Sequence, residues 1–211
     1  MDVVIRPEGP QDYRASETVT REAFWNRHGP GCDEHHLLYR LRSHADYRAD
    51  LSLVAEAAGA VVGSIHYTRS WLAGPAGRLE VVTFGPVAVH PDHQRQGIGA
   101  ALIGQSLTLA LNAGYPAVVI YGAPADYCRH GFRNGKAFSV SRADGRFPSC
   151  LLVRELAPGA LPAGPWVLEE SPAFRFDPAG FDAYDAGFPP KTKAWAPSQE
   201  EFAILSRSVI E

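Results

Sequence analysis

The chain has 211 residues, 45% hydrophobic and 20% charged, with a net charge of −3; this is ordinary globular usage, which excludes a disordered polar chain and gives no general field for nucleic acid. Cys32, Cys128 and Cys150 are odd in number and form no Cys-x-x-Cys pair, which excludes a disulfide framework and a cysteine zinc site. No run approaches the roughly 20 apolar residues that cross a bilayer, and the first residues lack a basic-then-apolar leader, so the expected setting is cytoplasmic, without membrane, nucleic acid or metal.

In chain order, Val3-Val4-Ile5-Arg6 reads as a first strand, and residues 10 to about 27 carry a helical pattern with Tyr13, Val19, Ala23 and Phe24 apolar. Gly29-Pro30-Gly31 stops it, and Asp33 is placed to cap a second helix. The runs 51–56 and 60–67 flank Ala57-Ala58-Gly59, a spacing that suits an antiparallel hairpin. After a turn at Gly74-Pro75-Ala76-Gly77, residues 79–90 are β-rich but contain Gly85-Pro86. Proline lacks a ladder donor, so a bulge or local edge is expected in mid-strand.

Residues 97–112 read as a largely buried helix through Ile98, Leu102, Ile103 and Leu109, ended by Gly114 and Pro116. Ala117-Val118-Val119-Ile120-Tyr121 follows as a buried strand, then a short helix around 124–130 and a strand at 149–154. A main domain over 1–156 is expected, with Pro158 to Pro165 as a Pro/Gly-rich linker opening a C-terminal extension, 157–211. Phe174-Arg175-Phe176, Phe181, Phe188-Pro189-Pro190-Lys191 and Trp195 make that extension too aromatic for a free tail. It is expected to cover a substrate cleft, to cross to a second copy in a homodimer, or to cap the sheet, and capping is favoured because exposed aromatics require burial first.

The chemistry-bearing motif is Gln94-Arg95-Gln96-Gly97-Ile98-Gly99, between an extended segment and a helix. The first N–H groups of a helix have no intrahelical partner and face the loop, and the helix dipole adds positive partial charge, so an anion belongs there. Gly97 and Gly99 let a diphosphate approach the main chain. The dinucleotide fingerprint needs a third glycine and the Walker loop needs Gly-Lys-Ser/Thr; neither is present.

Gln-x-x-Gly-x-Gly, preceded by Gly85-Pro86-Val87-Ala88-Val89-His90-Pro91 and followed by Tyr127-Cys128-Arg129-His130-Gly131-Phe132, resembles the GNAT superfamily of N-acetyltransferases. The resemblance spans roughly residues 3–155 by element order and is strongest from Phe84 to Phe132. It implies an α/β (α+β) fold with a mixed, mostly antiparallel sheet splayed between its fourth and fifth strands. It further implies that acetyl-CoA is held by the backbone of Val87, Ala88 and Val89 along the pantetheine arm, and by the loop Gln94, Arg95, Gln96, Gly97, Ile98, Gly99 and Ala100 around the pyrophosphate.

Attack of a neutral amine on a thioester releases a proton from nitrogen and a thiolate. Tyr127 matches the family tyrosine that protonates the thiolate; the competing reading is a ring packed beside Phe132. Glu80, on the bulged strand, is the first candidate for the base that takes the amine proton, and His66 is the second. Both positions have bland alternatives, an exposed strand-start charge and a hydrogen-bonded core histidine. The expected activity is acetyl transfer to a primary amine of a small acceptor; the rival is a CoA-thioester-binding module that senses without turnover.

Overall fold

A computed structural model of the chain describes residues 2–75, 77–175 and 179–211. β1 (Val3–Pro7) leads through a turn at Pro10–Asp12 into α1 (Tyr13–Phe24), and α2 (Glu34–Leu41) follows. α1 ends at Phe24 rather than near Arg27, because Trp25 swings out of the helical region to ψ 123°. Asp33 stands at the N-cap of α2 but makes no side-chain cap bond, and its own N–H donates to Glu34 Oε2 at 3.2 Å.

β2 (Leu53–Ala57) and β3 (Ala60–Gly74) form the expected hairpin, with Ala57 opposite Ala60. Its two turn residues, Ala58 (φ 50°) and Gly59 (φ 80°), both take the left-handed conformation that matches hairpin twist. β4 (Gly77–Val89) returns along β3 with Gly74 opposite Gly77; the turn expected there includes Ala76, which lies outside the described residues, as does Phe176. α3 (Ile98–Asn112), β5 (Ala117–Tyr121) and α4 (Pro124–Tyr127) come next. β6 (Arg133–Asn134), β7 (Val140–Ser141), β8 (Leu151–Glu155), β9 (Trp166–Glu169), α5 (Phe181–Asp185) and α6 (Pro197–Arg207) complete the chain.

The sheet runs β1-β2-β3-β4-β5-β8-β6, and β9 joins it on β3 and β7. Its pairs are antiparallel except β4–β5 and β7–β9, which gives the mixed, mostly antiparallel α/β sheet expected from sequence. β9 lies inside the segment read as a linker and extension, so the sheet itself continues past Leu156.

Side chains alternate across β3. Ile65 and Tyr67 pack into one core with Val82, Phe84, Ile98, Leu102 and Ile103 on the α3 side, each large aliphatic contributing about 1.5–3 kcal/mol by burial. α3 is half rather than largely buried: Leu102 is fully covered, but Leu111 is 43% exposed. On the other face, where α1 crosses β3 and β4, Ser64, His66, Thr68 and Ser70 are all buried.

The C-terminal segment staples α1 to α2. Asp185 Oδ1 receives Arg21 Nε at 2.8 Å and pairs with His35 Nε2 at 3.0 Å, while Arg21 Nη1 donates to the Pro189 carbonyl at 3.0 Å. Phe188 is buried beneath the Arg14 guanidinium, 3.4 Å from its ring centroid, and Lys191 Nζ meets Glu22 Oε2 at 2.6 Å. Phe188-Pro189-Pro190-Lys191 therefore caps the two helices within the same chain, not the sheet.

Candidate active site

The loop before α3 has the geometry of an anion cradle. Arg95 (φ 61°) and Gly97 (φ 84°) both take left-handed conformations, which turn the chain so that Gly97 becomes the N-cap of α3. The backbone N–H groups of Arg95, Gln96, Gly97, Ile98, Gly99 and Ala100 make no hydrogen bond to any described residue. A row of successive free donors at a helix N-terminus is an oxyanion receptor. Gln94 braces the loop, donating through Nε2 to the Val89 carbonyl at 3.0 Å, and Gln96 Nε2 reaches the Asp92 carbonyl at 3.3 Å.

Within the chain itself, the backbone requires glycine at only one of the two positions. A Cβ at Gly97 would meet nothing within 4 Å, so glycine is required there by its positive φ; at Gly99 a Cβ would touch only Val89 Cγ2, at 3.7 Å.

Above the cradle the sheet opens. Ile65 faces Val87 while Tyr67 faces Phe84, so Gly85 and Pro86 bulge opposite His66. β4 touches β5 in register only at Val82↔Val118 among the described residues, which leaves Val87, Ala88 and Val89 without strand partners on the β5 side. The expected break and splay are both present.

Tyr127, the last residue of α4, sits next to Phe84 at the edge of this bulge. Its ring packs between Phe84 (5.7 Å between centroids) and Phe132 (6.0 Å, edge-on). The backbone of Gly122 lies against it so closely that a Cβ there would fall 2.4 Å from Tyr127 Cε2. Burial first, and the negative charge of Asp126 second, hold the phenol above its ordinary pKa; Arg27, from the turn after α1, opposes them. The hydroxyl has no hydrogen-bond partner among the described residues and keeps its proton at neutral pH, the state from which an acid must start.

Glu80 is not brought to Tyr127. It is exposed near the start of β4 and accepts a hydrogen bond from the Tyr115 hydroxyl at 3.3 Å, beyond the C-terminal end of α3. Four residues of extended chain separate it from Phe84, about 13 Å at the usual rise per residue. His66 is fully buried beside Glu8 (3.6 Å) and the Tyr47 hydroxyl (3.3 Å from Nδ1), and burial pushes its pKa down to about 4.

Among the described residues no group of three or more His, Cys, Asp or Glu side chains is arranged to hold a metal ion. No helix of the described chain is long and apolar enough to cross a membrane.

The description of a known family, Acetyltransferase (GNAT) family, matches residues 18–132, more than half of the sequence. The chain belongs to the GNAT family. The Escherichia coli K12 protein YjhQ, an uncharacterised N-acetyltransferase, is 34% identical over 85 residues, 40% of this chain and 47% of YjhQ, so the match spans about half of that relative's length. YhbS of the same organism, also an uncharacterised N-acetyltransferase, is 31% identical over 131 residues, 62% of this chain and 73% of YhbS. The crystal structure of E. coli YhbS in complex with CoA aligns with a TM-score of 0.72 at 28% identity, over 83% of this chain and 93% of that one. A GNAT acetyltransferase from Brucella melitensis in complex with acetyl-CoA aligns with a TM-score of 0.65 at 27% identity, over 82% and 99%.

Three features of the structure are not legible in the sequence. Phe174 owes its importance to a contact with Gly85 made across the fold, which no local pattern encodes, and Gly122 to the close approach of the Tyr127 ring five residues on. A cavity of about 320 Å³ between the turn after α1 and the C-terminal segment, lined by His28, Gly31, Asp33, Phe181 and Lys193, likewise depends on tertiary packing.

Proposed function

We propose that this GNAT protein transfers an acetyl group from acetyl-CoA to the primary amine of a small acceptor by direct attack. The observation that carries the reading is the row of free N–H groups at 95–100, directly below the splay that exposes Val87, Ala88 and Val89. Its chemistry fits a pyrophosphate at the helix N-terminus and an amide-bearing arm lying along the unpaired strand edge. The complexes of YhbS with CoA and of the Brucella protein with acetyl-CoA support the same ligand.

Within that reading, the amine nitrogen attacks the thioester carbonyl, the tetrahedral intermediate collapses, and the departing thiolate takes the Tyr127 proton. Phe84, Phe132 and Gly122 hold the ring in place beside the β4 bulge. Turnover is tested by CoA thiol release across a panel of primary amines, comparing wild type with Tyr127→Phe. The expected result is acetyl-CoA binding retained and turnover reduced on the order of 100-fold or more. Equal turnover by the two proteins would remove Tyr127 from the acid role, and binding without turnover of any amine would favour the sensing module.

A further inference from the structure

The structure assigns Phe174, in the C-terminal extension, to the acceptor site: its ring is the apolar wall against which the body of the amine packs over the β4 bulge. This rests on the acetyl-transfer reading above. A contact puts the ring there. A Cβ built on Gly85 would stand 3.6 Å from Phe174 Cε1 and, chain neighbours apart, would meet no other described atom within 4 Å. Gly85 and Phe174 are both half-buried, so each keeps a surface open to a ligand.

The contact lies on the side of the bulge away from Tyr127. Phe84 turns its ring into the core on the α3 side, where Tyr127 also packs. Successive side chains of an extended strand point to opposite faces, so position 85 looks toward α2, and Phe174 meets it from that side. Tyr127, the proposed acid, reaches the bulge past Phe84; the other face, over Gly85, is left for the amine that attacks the same thioester.

The ring is held by a scaffold built from its neighbours. β9 ends at Glu169, paired with Trp71 of β3. Ser171 is buried, donates its hydroxyl to Asp46 Oδ2 at 2.7 Å, and accepts the Ala173 N–H at 3.2 Å. Asp46 is fixed in turn by Arg69 Nη2, 3.4 Å from its Oδ1. The turn Pro172–Phe174 packs against α2 with Ala173 buried. Phe174, by contrast, belongs to neither hydrophobic core and stacks on no other ring among the described residues. A half-exposed ring on an anchored turn loses little freedom when a ligand covers it, and returns apolar burial. It offers neither a hydrogen bond nor a charge, so it selects acceptors by the apolar group attached to the amine, which points to alkyl and arylalkyl primary amines.

The test uses the full chain, comparing 2-phenylethylamine with methylamine, whose body is too short to reach the ring. In protein labelled with 4-fluorophenylalanine, the residue 174 resonance is assigned by its loss in Phe174→Leu. With CoA bound, 2-phenylethylamine should move that resonance and methylamine should not. In steady-state acetylation, Phe174→Ala should raise KM for 2-phenylethylamine roughly 10-fold or more with little change in kcat, the signature of lost uniform binding, and leave methylamine unchanged. Phe174→Leu, which keeps an apolar side chain, should retain most of the affinity, and all three proteins should bind acetyl-CoA equally by calorimetry. A residue 174 resonance that 2-phenylethylamine leaves in place, or a Phe174→Ala protein whose KM is unchanged or shifts equally for both amines, would overturn the proposal. An effect of the variant that follows the acyl chain, seen as a changed preference between acetyl-CoA and propionyl-CoA, would overturn it too. Failure of the wild type to bind CoA and acetyl-CoA would instead overturn the acetyl-transfer reading, while the resonance still reports whether the amine reaches Phe174.

Discussion

Gly122→Ala isolates the positioning of Tyr127 from its chemistry. A Cβ at position 122 would lie 2.4 Å from Tyr127 Cε2 and 2.6 Å from Cδ2, whereas non-bonded carbons rest about 3.5–4.0 Å apart. The ring must therefore retreat by about 1 Å, and Phe84 and Phe132 confine it on its other sides. Gly122 does not use a left-handed φ, so alanine introduces no backbone strain of its own. Two costs follow. Overpacking destabilises by about 1–3 kcal/mol, and a 1 Å misplacement of a catalytic group lowers turnover on the order of 100-fold. The second effect decides the assay, because a loss of that stability leaves most of the protein folded whereas turnover collapses. Thiol release under saturating acetyl-CoA, with calorimetry for binding and urea midpoints for stability, separates them. The expected pattern is near-normal acetyl-CoA affinity with kcat reduced almost as far as in Tyr127→Phe. Wild-type turnover in a folded Gly122→Ala protein would refute the claim that this contact aims the hydroxyl.

Asp185→Ala removes the carboxylate shared by two buried side chains, Arg21 and His35; breaking a buried pair costs about 3–5 kcal/mol, and urea unfolding should show a loss of that size, with an unchanged midpoint contradicting the staple. His35 and His66 are both buried with their pKa pushed down to about 4 from 6.5. Each binds a proton more readily when unfolded, so stability is intact above pH 6.5 and falls as pH drops toward 4. Urea midpoints across that range should decline with acid, and less steeply in His66→Gln; a flat profile would show that neither ring is held neutral.

What the sequence disclosed follows from the range over which each feature is encoded. The hairpin at Ala58 and Gly59, the helix after Gly97 and the break at Gly85-Pro86 are written in neighbouring residues, and each formed where expected. Asp33 is a sound cap by residue type, yet its side chain makes no cap bond. β9 was missed because its four residues sit among prolines and glycines and are strand only through pairing with β3 and β7. Glu80 satisfied a strand-position rule, but its partner Tyr115 is set by where α3 ends.

The cofactor cradle is tested most directly by calorimetry of acetyl-CoA against wild type, Gly97→Asn and Gly97→Glu, with folding checked by circular dichroism. Asparagine tolerates the left-handed conformation that position 97 requires, so that variant should still bind, whereas glutamate adds a negative side chain at the mouth of the free N–H groups and should abolish binding. Equal affinity in wild type and a folded Gly97→Glu protein, or no binding to wild type, would contradict a pyrophosphate seated on residues 95–100.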